Sequence, residues 1–222
     1  MKHRRLLQPT RCIATYRRDH TFLFSRWLGR QLNSSERIII NTFEAARLRG
    51  RTVRTQINHT RHFNPTSLIL EYANFLQQNS PNHDIALLAP TKKLAKFYRK
   101  GLNRRPLITA SNRTADALRG STFEIAVAFN VKKPAITKII YAALPVIPEQ
   151  RRNAAFIVTS EIDNAANLYP LLLSGLDPPP CKLLRKFAIT TITINDSVGA
   201  ECVSTYARPV TNIENTATAV LV

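Results

Sequence analysis

Short apolar runs alternate with helical periodicities along this chain. Ile85–Ala89, IALLA, holds no polar residue and has the length of a buried parallel strand. FEIAVAF over 123–129 and AAFIVT over 154–159 read the same way, and 52–57 adds a strand rich in β-branched residues. The stretch 58–65 lacks periodicity and predicts a loop. Over 66–78, Leu68, Ile69, Tyr72, Ala73 and Leu76 recur at helical spacing. Residues 51–91 therefore predict strand, loop, helix, strand, the βαβ unit around which the chain is organised.

Further periodicities fill in the rest. A helix is predicted over 21–32, with Leu23, Trp27, Leu28 and Leu32 on one side. A second covers 35–49, capped by Ser34 or Ser35, with Ile38, Phe43 and Leu48 inward and Gly50 as its stop. Over 91–102, Leu94, Ala95, Tyr98 and Leu102 share one helical face, and Lys92, Lys93, Lys96, Arg99 and Lys100 fill the other. A short strand at 107–110 and a loop or short helix at 112–117 follow, then helices at 135–144 and 164–173. The β-branched stretches 183–195 and 201–210 predict a hairpin or the last strands of the sheet; 211–222 shows no clear element. Alternation of helices with uniformly apolar strands predicts an α/β fold, a mainly parallel sheet with helices on both faces. The expected division is a basic helical segment at 1–50, the α/β domain at 51–210 and a tail at 211–222.

Charge changes the picture. The chain holds 32 Lys and Arg against 14 Asp and Glu, a net +18. Residues 1–133 carry 25 basic and 7 acidic side chains, and residues 134–222 carry 7 of each, so the whole excess lies in the first part. This asymmetry points to a polyanion, nucleic acid before anionic membrane; the bland alternative is a solvated basic face. Arg104, Arg105 and Arg119 extend the basic set beyond the 91–102 helix. Phe22, Phe24 and Trp27 stand among arginines, where they stack on bases or, the commoner outcome at helical spacing, fill a core. No run of 18 apolar residues predicts a membrane span. The basic start lacks an apolar signal core; a transit peptide or nuclear-import patch is the other reading. Cys12, Cys181 and Cys202 give neither zinc spacing nor a disulfide framework. His59 and His62 are spaced to share a metal, but no third ligand accompanies them, so no metal site is expected.

Several segments in order carry a family likeness. They are Thr-Arg-His-Phe-Asn-Pro-Thr before a helix, IALLAPT before a basic helix, Leu-Arg-Gly-Ser-Thr-Phe-Glu before an apolar strand, and Phe-Ile-Val-Thr-Ser before a helix. Together they resemble the ATPase domain of the large terminase subunit, the DNA-packaging motor of tailed phages and herpesviruses. The likeness covers about 51–210, and the tail segment CVSTYARPV is similar to the herpesvirus branch. It implies a P-loop NTPase-like α/β fold. It places Arg61, Asn64, Thr66 and Ser67 in the phosphate loop, Arg119-Gly120 in a loop contacting DNA or nucleotide, and Thr159 and Ser160 at the coupling position. Ordinary roles for the last two pairs are a surface turn and a helix N-cap. The strands 123–129 and 154–159 are expected to flank 52–57 in parallel.

The departures from the family are chemical. A phosphate loop needs inward backbone N–H groups and a lysine at the β- and γ-phosphates. Asn64 replaces its last glycine and Pro65, with neither N–H nor charge, replaces its lysine. The strand that ends in two carboxylates in the family ends here in Phe129 and Asn130; Asn130 can orient a water but cannot accept a proton. No catalytic position is intact. ATP and Mg²⁺ are implied only if the degenerate site works. The expected function is that of a viral packaging protein with a dismantled ATPase domain, binding DNA or another nucleic acid and meeting portal, capsid or other terminase subunits. The likeness to the herpesvirus branch places it in a host nucleus or at a site of virion assembly, otherwise inside the cell. Two alternatives stand beside it. One is an active ATPase in which Lys92, Lys93, Lys132 or another subunit completes the site. The other is an unrelated basic nucleic-acid-binding protein. The acid-poor tail is not expected to hold the family's nuclease domain.

Overall fold

The computed structural model describes residues 19–132, 151–161, 190–195, 201–206 and 218–220, with isolated positions between 135 and 147. Its centre is an eight-stranded sheet in the order β3-β2-β4-β5-β1-β6-β7-β8. The strands are β1 (Val53–His59), β2 (Ile85–Ala89), β3 (Ile108–Ser111), β4 (Ile125–Ala128), β5 (Ala155–Glu161), β6 (Thr190–Asn195), β7 (Glu201–Tyr206) and β8 (Thr218–Val220). The first six pair in parallel; β7 and β8 are added antiparallel. The mainly parallel α/β fold is thus present, and β1, β2, β4 and all but the last residue of β5 are buried.

Two apolar layers cover the sheet. On one face Ile57, Leu87, Val127 and Ile157 pack against helices α1 (Phe22–Leu28), α2 (Ser34–Leu48) and α3 (Thr66–Asn79). On the other, Leu88, Ala126, Phe156 and Val158 pack against Leu118 and against helical Ile139, Ala142 and Ala143. Helix α4 (Lys92–Tyr98) runs into a 3₁₀ turn at Arg99–Gly101, and a second 3₁₀ segment spans Asn112–Leu118. Alternate strand residues point to opposite layers, which is why strands buried on both sides show no alternation of hydrophobicity.

Residues 22–48 share the first core rather than lying apart from it. Phe24 stacks with Trp27 at 5.7 Å and meets Tyr72 edge-on at 5.5 Å. Arg47 donates to both carboxylate oxygens of Glu44, at 2.8 and 2.5 Å, and the Tyr72 hydroxyl donates to Glu44 at 2.9 Å. All three are buried. Burial, then the Glu44 charge, pushes the Tyr72 hydroxyl well above its ordinary value, so it stays a donor.

Several boundaries differ from expectation. β1 continues through Asn58 and His59, assigned to a loop, because β5 runs beside it to Glu161 and holds both in register. β4 is shorter than 123–129, and β5 runs two residues past Thr159. Helix α1 stops at Leu28, where Gly29 adopts φ +73°, and it buries Phe24 instead of Leu23. Asn33, not a serine, caps α2: it accepts from Glu36 N–H while Glu36 accepts from Asn33 N–H. In α4 the expected inward Leu94 is exposed, since the short helix buries only Ala95. β1 is flanked by β5 and β6, so the strand over 123–129 lies one place further away than expected, with β5 inserted between them. Strand β8 lies in the tail where no element was expected. The segment 164–173 lies outside the described residues.

Candidate functional site

In an open parallel sheet, ligands gather where the strands end and the connections leave in opposite directions. Here the connections after β1 and β2 lie on the face of α3, while those after β3 and β4 lie on the opposite face. Between the ends of these strands is a cleft of about 130 Å³ lined by Pro90, Asn130, Val131, Lys132 and Glu161. A larger cleft, about 250 Å³, is lined by Asn74, Gln77, Gln78, Asn103 and Arg104. It lies at the opposite edge, where β2 and β3 begin, away from the positions predicted for a nucleotide.

The loop from β1 to α3 is closed on itself. Asn64 Oδ1 accepts from Thr66 N–H at 3.0 Å, taking a donor that a phosphate would need. Pro65 stands at the N-cap of α3 and its carbonyl accepts from Ile69 N–H at 3.0 Å. Among the described residues, positive φ occurs at Gly29, Gly50, Gly120, Asn130 and Asn153, none of them in this loop. A nest of inward N–H groups, built from alternating right- and left-handed residues, is therefore not formed. Phe63 packs against the first core, and Arg61 points outward to Glu161 at 3.8 Å. Ser67 is exposed on the first turn of α3.

The end of β4 is tied down by its neighbours. Asn130 sits at φ +45°, a conformation asparagine tolerates better than most residues. Its N–H donates to Thr159 Oγ1 at 2.9 Å, and its side-chain oxygen is 3.2 Å from His59 Nε2. Thr159 O accepts from Val131 N–H at 2.8 Å, and Ser160 Oγ donates to Val131 O at 2.6 Å. Thr159 and Ser160, predicted to couple two motifs, are wholly buried and clamp the segment after β4 onto β5. Whether they also start a helix falls outside the described residues. Phe129, which the likeness aligns with a carboxylate, is buried with its ring 5.1 Å from that of Tyr98. Glu124 lies at the other end of β4, accepting from Arg151 at 3.0 Å.

The predicted basic residues divide between the two edges. Lys92 and Lys93 open α4 at the strand-end edge; Arg99, Lys100, Arg104 and Arg105 lie towards the edge where β3 begins. All six, and Lys96 between them, are exposed. Arg119 is also exposed, paired with Asp116 at 3.3 Å in a turn that Gly120 closes at φ +76°. Thus α4 joins the two basic groups, and Arg119 is separate.

The sequence points to His59 only as half of a metal pair with His62, in a stretch assigned to a loop, and gives no sign of Glu161, the first carboxylate after the AAFIVTS run. Lys132, a candidate substitute phosphate ligand in the sequence, lines the cleft. Among the described residues no three His, Cys, Asp or Glu side chains gather to hold a metal, and no helix is long and apolar enough to cross a membrane. Compared with protein-family models and with curated proteins, the sequence matches none.

Proposed function

We propose that this chain is a terminase-like α/β domain whose nucleotide site has been dismantled, working as a nucleic-acid-binding or assembly component of a packaging apparatus. The observation that carries the proposal is the self-closed loop after β1: Asn64 occupies the Thr66 N–H, and proline stands where a phosphate-binding lysine belongs. The order of motifs supports the family; Phe129 and Asn130 remove the carboxylates that hold Mg²⁺ and activate water. The net +18 of residues 1–133 supports a polyanion partner.

The test is twofold. Purified protein should hydrolyse ATP at background rate with or without DNA, and should bind DNA with an affinity that falls steeply with salt. DNA-stimulated turnover abolished by Thr66→Ala would sink the dismantled-site reading. Salt-independent or absent DNA binding would sink the nucleic-acid role. A second reading, an atypical active ATPase, is favoured by Lys132 and Glu161 lining one cleft beside Asn130. It predicts measurable Mg-ATP binding by calorimetry, lost in Lys132→Gln.

A further inference from the structure

Helix α4 is built against its own electrostatics. Its first two residues are lysines and its first turn has no acid, although a helix N-terminus disfavours cations. Residues 85–115 hold eight lysines and arginines and no Asp or Glu. On the same surface Phe97 is 63% exposed, the most exposed large apolar side chain described, and Leu94 is 38% exposed. The Phe97 ring is not adrift. It meets Tyr98 edge-on at 6.1 Å, and Tyr98 meets the buried Phe129 edge-on at 5.1 Å. A line of three rings thus sets an aromatic face at the surface between Lys93 and Lys100, four residues before Phe97 and three after it.

We propose that this surface docks single-stranded nucleic acid, with an unpaired base stacked on Phe97 and the flanking phosphates met by the lysines of α4. The inference rests on the polyanion reading above and adds the strandedness of the ligand. Charge selects a polyanion and excludes a second copy of the same basic face. A ring projecting between cations is matched by a ligand that alternates flat apolar faces with phosphates, which a single strand offers and a duplex, its bases stacked internally, does not. Phe129 gains a role here: at a place where a carboxylate would serve Mg²⁺, it anchors Tyr98 behind the platform.

The experiment is fluorescence anisotropy of the full chain with a labelled oligothymidylate, a duplex of equal phosphate count, and vesicles containing an anionic phospholipid. Phe97→Leu keeps an apolar side chain without a ring, and Phe97→Trp keeps the ring. Phe97→Leu should weaken oligothymidylate binding about fivefold to a hundredfold and duplex binding less than about twofold, with Phe97→Trp near wild type. The salt slope should stay unchanged in both, because no phosphate contact is lost. Equal losses on both ligands, or none, would overturn the single-strand platform while steep salt dependence kept the polyanion reading intact. Loss of vesicle binding alone would assign the surface to a membrane instead. Absence of binding to either oligonucleotide would take down both readings together.

Discussion

Two junctions of the same kind, strand to loop to helix, leave the sheet with two strands between them, β4 and β5, and they have been put to opposite uses. After β1 the chain closes its loop with Asn64 and Pro65 and enters α3, ten of whose fourteen residues are buried. After β2 it turns through Pro90, caps α4 with Thr91 Oγ1 on Leu94 N–H at 3.2 Å, and buries only Ala95. The first junction turns Asn64 onto its own backbone. The second keeps its cations in water. In such a pair, the inward helix carries stability and the outward one is free to carry binding, so substitutions in the two should separate these properties.

The sharpest separation is between two aromatic residues. Tyr72→Ala in α3 removes a wholly buried ring and leaves Glu44 short of a donor, so it should cost about 3–5 kcal/mol in urea denaturation. Phe97→Ala in α4 should stay within about 0.5 kcal/mol. Similar shifts in the two would mean that α4 is packed against something in solution and would break the comparison. A smaller effect is expected at the closed loop. Asn64→Ala removes the acceptor of Thr66 N–H and should cost about 1 kcal/mol, and the Thr91→Ala cap loss in α4 should be of the same order. If Asn64→Ala is silent, the loop is held by Pro65 and Phe63 alone, and the self-capping argument fails.

Much of this architecture could be read from the sequence, and the failures have a common cause. β2 was legible to the residue because all five of its side chains are apolar and all five are buried. β1 was cut short because Asn58 and His59 look like turn formers. Their place in the ladder depends on β5 and β6 lying alongside, which no local pattern encodes. Leu94 was placed inward by a periodicity that assumes a helix long enough to bury a full face; α4 has seven residues and lies near the sheet edge. That the 58–65 loop lacks the glycine and lysine of a phosphate loop is legible in Asn64-Pro65, but the bond from Thr66 N–H to Asn64 Oδ1 is not. The clamp of Thr159 and Ser160 on Asn130 and Val131 joins residues 29 apart in sequence and needs the strand order to be known.

Helix α2 offers a control on how a helix start is normally protected. Its first turn holds Glu36, which completes the capping box and accepts from both terminal nitrogens of Arg30 at 2.8 and 2.7 Å. The Arg30 hydrogen bonds, with help from the Asn33 backbone and against partial burial, hold this carboxyl below its usual value. A depressed carboxyl stabilises the fold fully above its unfolded value of about 4.3, and the contribution disappears as pH falls through the lower folded value. The stability difference between wild type and Glu36→Gln should therefore be largest near neutrality and close in acid. A difference that widens on acidification would contradict the cap.

Helix α4 reverses that arrangement, and the reversal can be measured. Lys92 and Lys93 lie in its first turn, where the partial positive charge of the helix end repels them. Replacing either by Glu should stabilise the protein by about 0.3–1 kcal/mol at low salt, with the gain shrinking as salt is added. The same change removes a cation and adds an anion on the proposed nucleic-acid face, so DNA affinity should fall and its salt slope flatten. A gain in stability coupled to a loss of binding is the signature expected when a basic helix start is kept for its ligand. If Lys92→Glu destabilises the fold, the lysine has a structural partner and the contrast with α2 does not hold. If it stabilises the fold and leaves binding untouched, the cations that matter lie further along, at Lys96, Arg99 and Lys100, and the interface begins at the middle of the helix instead of at its start.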